Sequence, residues 1–230
     1  VREERALSPM RQTIARRLST SYREAVHVTV NRTVDASALL SAADTAAEQR
    51  ESAESGPIEP SVTDVLLCGL SETLGTHSDF NATYEDETHR IYEQQNVGIA
   101  VSIDEGLVTP VIADLGSKSL AAIASERHFL TERVKSGEYT MALFRNGTFT
   151  VSNLGPLGVD SFDPIINPPE VAILGLGRTR ERAVDADGDV AFRRHLTLSL
   201  SFDHRIVDGA DAARFLDTLA DNVADADAYV

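Results

Sequence analysis

A strand of alternating residues runs directly into a histidine and then into a helix in the segment LSLSFDHRIVDGADAARFL, which begins at position 198. Apolar and polar residues follow each other with a period of two, which is the pattern of a half-buried strand. His204 therefore stands at the end of a strand, on rigid backbone. Because the ordinary pKa of histidine lies nearest neutrality, a well-held His204 could remove a proton from a thiol or a hydroxyl.

From the residues alone, three interpretations of this segment stay open. His204 is a general base, or it is a structural histidine, with Asp208 as the N-cap of the last helix and Gly209 as a turn residue. The third is a metal site, since His204 and Asp208 are four positions apart, as two ligands on one helix face can be. No second cluster of histidine or cysteine completes such a site in the sequence. We therefore expect no metal.

Helical and strand-like segments are mixed along the chain without a regular βαβ alternation. Local patterns predict helices over about 9–24, 36–50, 61–75, 119–137 and 210–226. They predict one strand over 26–35, two or three short strands within 88–112, and four strand segments between 146 and 204. The polar stretch 51–60 contains two prolines and predicts a loop too short to separate domains. We therefore predict one α+β domain over residues 1–230, with a mixed sheet packed as a sandwich against flanking helices.

The charge balance excludes two classes of partner. Thirty-six acidic residues stand against 21 basic ones, which gives a net charge of -15 and a pI near 4.7. Such a chain repels phosphate backbones and anionic lipid, so we expect neither nucleic acid nor a membrane as partner. Cys68 is the one cysteine and cannot form an internal disulfide, which favours a reducing, cytoplasmic setting. The N-terminal segment lacks the pattern of a signal peptide, and we expect a fragment of a longer chain.

The basic residues are unevenly divided between two types. The chain has two lysines, Lys118 and Lys135, against nineteen arginines, and its acidic residues are scattered along the whole length. At molar ionic strength the Debye length is about 3 Å, so repulsion between surface carboxylates largely vanishes. This composition predicts a halophilic protein that loses structure or dissociates at low salt.

The segment SFDHRIVDG resembles the His-x-x-x-Asp-Gly signature of the catalytic domain of dihydrolipoamide acyltransferases, the core component of 2-oxo acid dehydrogenase complexes. Three further segments resemble stretches of that family in the family's order: LSPMRQTIARRLSTS at 7–21, GTFTVSNLG at 147–155 and PIINPPEVAILGLG at 164–177. The resemblance covers nearly the whole chain. It implies a fold like that of chloramphenicol acetyltransferase.

The resemblance also implies a mechanism and roles for individual residues. His204 would act as general base on the thiol of coenzyme A or dihydrolipoamide, and Ser152 would hydrogen-bond the oxyanion of the tetrahedral intermediate. Asp208 resembles an orienting residue held by an arginine, for which Arg16 and Arg17 are the candidates. The substrates would be coenzyme A and a lipoyl group carried on a domain outside this chain.

In the family the active site lies between neighbouring subunits of a homotrimer, and trimers assemble into larger hollow cores. The resemblance therefore implies such an assembly, joined to a 2-oxo acid decarboxylase and a dihydrolipoamide dehydrogenase through lipoyl and peripheral-subunit-binding domains that this chain does not include. The acyl group is expected to be acetyl or branched-chain.

Two other functions stay open beside this one. One is a catalytically silent core that only holds the other enzymes together. The other is an O-acetyltransferase of the chloramphenicol acetyltransferase type, but that family usually doubles the histidine, and position 203 here is Asp.

Overall fold

The computed structural model describes residues 1–52, 58–104 and 106–230, so part of the predicted loop at 51–60 lies outside the described residues. These residues form five α-helices and eleven strands. The helices are α1 (Pro9–Glu24), α2 (Ser37–Ser52), α3 (Val62–Thr76), α4 (Leu120–Lys135) and α5 (Gly209–Ala224). The strands are β1 (His27–Asp35), β2 (Ala82–Glu85), β3 (Thr88–Ile91), β4 (Val97–Ile99), β5 (Val101–Ile103), β6 (Gly106–Val108), β7 (Val111–Ile112), β8 (Phe149–Asn153), β9 (Ala172–Leu176), β10 (Arg180–Ala186) and β11 (Asp189–Asp203).

A seven-stranded mixed sheet organises the domain. Its strands follow the order β1-β11-β9-β8-β4-β7, and β10 pairs with the first part of β11. β8 runs parallel to both β9 and β4, whereas the other pairs in the sheet are antiparallel. The predicted α+β class and mixed sheet are confirmed.

Local signals place the helices where the sequence predicts them. Ser8 caps α1 by accepting a hydrogen bond from the Arg11 backbone N–H, and Pro9 is its first residue. The prediction for the strands was less accurate. The region 88–112 divides into five short strands instead of two or three, and the two segments predicted at 189–204 form the single strand β11.

The alternation along β11 divides the sheet into two different faces. Leu198, Leu200 and Phe202 are buried in the main core together with apolar residues of α3 and α5, and each such side chain contributes about 1.5–3 kcal/mol to folding. The opposite face carries a polar ladder between β1 and β11. Ser199 Oγ donates to Asn31 Oδ1 (2.6 Å), and the hydroxyls of Ser201 and Thr29 lie 2.7 Å apart.

The loop before β9 covers part of this polar face. Ile166 accepts a hydrogen bond on its carbonyl from Ser21 Oγ of α1 (2.6 Å) and donates its N–H to His27 Nε2 (3.1 Å). Phe162 packs against Gly175 so closely that a Cβ at Gly175 would lie 2.9 Å from the ring. The loop thereby joins α1 to the strands that bear the candidate site.

A buried carboxyl at the end of the same loop ties it to β8. Glu170 accepts hydrogen bonds from Thr150 Oγ1 (2.5 Å) and from Asn167 Nδ2 (2.8 Å). Gly147 lies so close that a Cβ there would come within 2.7 Å of Glu170 Oε1, so a larger residue would displace the Glu170 carboxyl. Burial raises the pKa of Glu170 to about 7, against the lowering by these hydrogen bonds and by the charge of Arg17.

No helix among the described residues is long and apolar enough to cross a bilayer.

We predict that Glu170→Gln gains stability relative to the wild type as the pH rises from 5 to 8. In the folded protein the carboxyl keeps its proton up to about pH 7, whereas the unfolded chain releases it near the ordinary value of 4.5. Between these values the folded state binds more protons, so the free energy of unfolding of the wild type falls with rising pH. Glutamine cannot ionise and escapes this loss.

Calorimetric melting temperatures of both proteins at pH 5 and pH 8 measure the difference. Glu93→Gln is the matched control, since Glu93 is exposed. The prediction fails if the melting temperature of Glu170→Gln follows that of the wild type by a constant offset at both pH values.

Candidate functional site

His204 stands one residue beyond the end of β11, as the sequence predicts. Its backbone N–H donates to the Val26 carbonyl (2.9 Å), and its ring lies beside that of Phe202, with 5.7 Å between the centroids. The imidazole is 41% exposed, so a substrate can reach it. The nearest acidic oxygen is Asp208 Oδ1, 3.6 Å from Nδ1, which is longer than a hydrogen bond.

Asp208 is the N-cap of α5. The backbone N–H of Asp211 donates to the Asp208 carbonyl (3.0 Å), and the Asp211 carboxylate accepts from the N–H of Asp208 (3.0 Å), in the arrangement of a capping box. The capping role that the sequence left open for Asp208 is therefore confirmed, and the same residue also faces His204.

The arginine partner expected for Asp208 is not found in the part of the chain that the structure describes. Arg17 instead donates to the Pro168 carbonyl (2.9 Å), because α1 packs against the loop before β9. The Asp208 side chain is 77% exposed and forms no ion pair with any described arginine. Within one chain, the expected pairing of Asp208 with Arg16 or Arg17 is wrong.

Asp203, to which the sequence analysis gave no role in the site, is paired with an arginine. Its side chain is 4% exposed and lies 2.5 Å from Arg205 Nη2, and Arg205 Cζ stands 4.7 Å from the centre of the Tyr84 ring. The alternation of β11 places Asp203 on the polar face with Ser199 and Ser201. This position on the polar face is the one signal in the sequence that could have indicated the pairing of Asp203.

Ser152 lies near the end of β8 and is 6% exposed. Its hydroxyl forms no hydrogen bond with the residues that the structure describes. A buried hydroxyl without a partner is costly, and native structures contain few of them. The Ser152 hydroxyl is therefore available to donate a hydrogen bond to a bound molecule.

The sheet register keeps Ser152 and His204 apart within one chain. Ser152 pairs with Gly175 on β9, Gly175 pairs with Ser199 on β11, and His204 lies five residues further along. With about 3.3 Å per residue and about 4.8 Å between strands, the two Cα atoms are roughly 19 Å apart. The two side chains cannot contact the same reacting carbonyl in one chain.

A pocket of about 540 Å³ lies beside Glu170, between Arg17 and Arg145, and neither Ser152 nor His204 lines it. Across residues 1–52, 58–104 and 106–230, no group of three or more His, Cys, Asp or Glu side chains is placed to hold a metal ion.

Comparison with solved structures relates this fold to known proteins. A dihydrolipoamide acetyltransferase from Azotobacter vinelandii superposes with a TM-score of 0.91 at 33% identity, covering 99% of this chain and 93% of that one. Its structure comes from a study of the roles of a serine, a histidine and an asparagine in its catalytic mechanism. The cubic core of a pyruvate dehydrogenase multienzyme complex gives the same values. A chloramphenicol acetyltransferase superposes with a TM-score of 0.53 at 13% identity over 90% of this chain and 94% of its own, a likeness of fold alone.

Comparison with curated sequences finds the same kind of protein as comparison with solved structures. The acetyltransferase component of the pyruvate dehydrogenase complex of Zymomonas mobilis is 33% identical over 210 residues, which are 91% of this chain and 47% of that protein. The chain thus spans about half the length of the curated relatives it matches. The family model described as 2-oxoacid dehydrogenases acyltransferase (catalytic domain) matches residues 2–229. The chain belongs to this family of 2-oxoacid dehydrogenase acyltransferase catalytic domains.

Proposed function

We propose that the chain is the catalytic domain of a dihydrolipoamide S-acyltransferase, which moves an acyl group between dihydrolipoamide and coenzyme A within a 2-oxo acid dehydrogenase complex. One observation carries the proposal. The serine and histidine studied in the Azotobacter vinelandii enzyme lie 52 positions apart, and its asparagine follows the histidine by four. Ser152, His204 and Asp208 have the same spacing in this chain.

His204 acts as the general base in this proposal. Its imidazole takes the proton from the attacking thiol, and the thiolate adds to the carbonyl carbon of the other partner's thioester. When the tetrahedral intermediate collapses, the carbon–sulfur bond to the first carrier breaks, and the departing thiolate takes the proton back from His204. Asp208 caps α5 and so keeps the turn that carries His204 in place, without touching the reacting proton.

Ser152 stabilises the intermediate. Its hydroxyl donates a hydrogen bond to the oxyanion that forms when the carbonyl is attacked, a contact stronger in the transition state than in the ground state. The burial of this hydroxyl and its lack of a partner among the described residues support the role, since the donor is fixed and uncommitted before substrate binds.

The active site lies between neighbouring copies of the chain. The separation of roughly 19 Å between Ser152 and His204 along the register supports this, because a second copy must bring one of them to the other. We propose a homotrimer as the smallest active unit and a larger hollow core built from trimers. The likeness to a solved cubic core supports the larger assembly.

The substrates are coenzyme A and a lipoyl group. Acetyl is the acyl group we favour over a branched chain, since the compared relatives are named acetyltransferases. Residues 1–230 form one catalytic domain, and the decarboxylase and dihydrolipoamide dehydrogenase attach through lipoyl and peripheral-subunit-binding domains that lie outside these residues. We place the protein in the cytoplasm, which suits the free, half-buried Cys68, whose burial raises the pKa of the thiol to about 11.

We expect His204→Ala to lower kcat for acetyl transfer from acetyl-coenzyme A to dihydrolipoamide by about 10²–10⁴-fold, through loss of the general base. Ser152→Ala should lower kcat by about 10²–10³-fold, through loss of one oxyanion donor. Initial rates are measured in molar KCl on particles of verified size. His128→Ala and Ser136→Ala, both at exposed positions on or next to α4, are the matched controls.

Wild-type particles of the right size that transfer neither acetyl nor branched acyl groups would indicate a silent scaffold.

Mixing the two inactive variants should restore activity. In a site built between copies, an intact Ser152 comes from one chain and an intact His204 from its neighbour, so about one quarter of the sites in randomly mixed trimers are complete. Co-expression of differently tagged Ser152→Ala and His204→Ala chains, with tandem purification, gives the mixed particles. Activity no greater than the sum of the separate variants would contradict a shared site.

We also propose that the chain is adapted to high salt, and predict that its melting temperature rises between dilute buffer and 2 M KCl. The scattered acidic residues that give the net charge of -15 repel one another in dilute buffer, and salt screens this repulsion. Equal molarities of a neutral osmolyte serve as control for general stabilisation. A melting temperature independent of KCl would exclude halophilic adaptation.

A further inference from the structure

The imidazole of His204 has little direct support from neighbouring side chains. Its Nδ1 is 3.6 Å from Asp208 Oδ1, and the Asp208 side chain is mostly exposed. The backbone of Asp203 and Arg205, on either side of His204, sets the direction of its Cα–Cβ bond and limits the rotamers that the ring can adopt.

Those two flanking residues are bonded to each other around His204. Asp203 Oδ1 accepts from the Arg205 backbone N–H (3.1 Å) and from Arg205 Nε (2.9 Å), while Oδ2 accepts from Nε (3.0 Å) and Nη2 (2.5 Å). Paired guanidinium–carboxylate bonds of this kind add geometric constraint as well as energy. These hydrogen bonds close the turn that carries His204.

A second set of hydrogen bonds fixes this turn to Val26, the residue before β1. The Val26 N–H donates to Asp203 Oδ1 (3.2 Å), and the Val26 carbonyl accepts from the His204 N–H (2.9 Å). Burial by itself raises the pKa of Asp203, but the hydrogen bonds from Arg205 and Val26 and the charge of Arg205 outweigh it and hold that pKa below its usual range. Asp203 therefore stays ionised and keeps accepting these bonds.

The guanidinium of Arg205 is held from its other side by an aromatic ring. Its Cζ lies 4.7 Å from the centre of the Tyr84 ring on β2, within the range of a cation–π contact. The backbone N–H of Tyr84 donates to the Pro169 carbonyl (2.9 Å), so β2 is itself joined to the loop before β9. We call Asp203, Arg205 and Tyr84 the strand-end clamp.

We infer that the strand-end clamp positions His204 for proton transfer, with Asp203 and Arg205 as positioning residues that do not touch the substrate. The inference rests on the proposed function, in which His204 is the general base. A displacement of about 1 Å at a reacting group is enough to lower a rate by about two orders of magnitude, so the clamp acts on turnover more than on substrate binding.

Arg205→Lys tests the clamp, because lysine keeps the positive charge but cannot form the paired bonds to Asp203. We expect kcat for acetyl transfer to fall by about 10- to 100-fold, with the KM values for acetyl-coenzyme A and dihydrolipoamide within about twofold of the wild type. Arg214→Lys is the matched control, since Arg214 forms an exposed ion pair with Asp211 on α5. Wild-type kcat in Arg205→Lys would overturn the inference.

Tyr84 supplies a second test that leaves the turn itself unchanged. Tyr84→Phe keeps the ring beneath Arg205 and should retain the wild-type kcat, whereas Tyr84→Leu removes the ring and should lower kcat while KM stays constant. Equal kcat values for the two variants would contradict the clamp, even if Arg205→Lys failed to fold.

Modification of His204 by diethyl pyrocarbonate, followed by mass spectrometry, reports on the ring without requiring acyl transfer. Arg205→Lys and Tyr84→Leu should be modified several-fold faster than the wild type, because the imidazole leaves its place beside Phe202. If these rates rise while the wild type shows no transfer, the proposed function fails and the clamp stands. If the rates are unchanged, the clamp fails.

Discussion

The period-two register of β11 supports both the core and the candidate site. Leu198 and Leu200 on one face are buried against the helices, while Ser199 and Ser201 on the other face hydrogen-bond to β1. A slip of one residue would exchange the two faces and bury the serines among leucines, so the register is strongly determined. The position of His204, directly after this strand, is determined with it.

The same register explains why Ser152 and His204, the two residues of the proposed site, do not meet in one chain. Ser152 and His204 are held on strands of one sheet, and side-chain rotation cannot close a gap of roughly 19 Å. Within its own chain, each residue nevertheless has the exposure and the hydrogen-bonding state that its proposed role requires. The Ser152 hydroxyl is buried and uncommitted among described residues, and the His204 imidazole is accessible on a turn closed by Asp203 and Arg205.

The agreement between sequence and structure varies with the kind of signal. α1 and α5 carry caps and helical periodicity within their own residues; α1 begins where predicted, and α5 begins one residue earlier, at Gly209. The strands of two to four residues within 88–112 contain too few positions for a period of two to show, and their bounds depend on the strands with which they pair. β11 is continuous because β1 and β10 together provide partners along its length, which the sequence of β11 does not contain.

By itself the sequence determined the α+β class, the helices, the alternation of β11 and the place of His204 at its end, because each depends on residues close together in the chain. The role proposed for Ser152 came from the family resemblance, since its own surroundings in sequence carry no signal. Only the tertiary structure decided that Asp203 pairs with an arginine, whereas Asp208 pairs with none among the described residues of one chain, and that Glu170 meets Thr150 and Gly147. These outcomes depend on which residues are buried and which strands are neighbours, and both arise from contacts between residues distant in the chain.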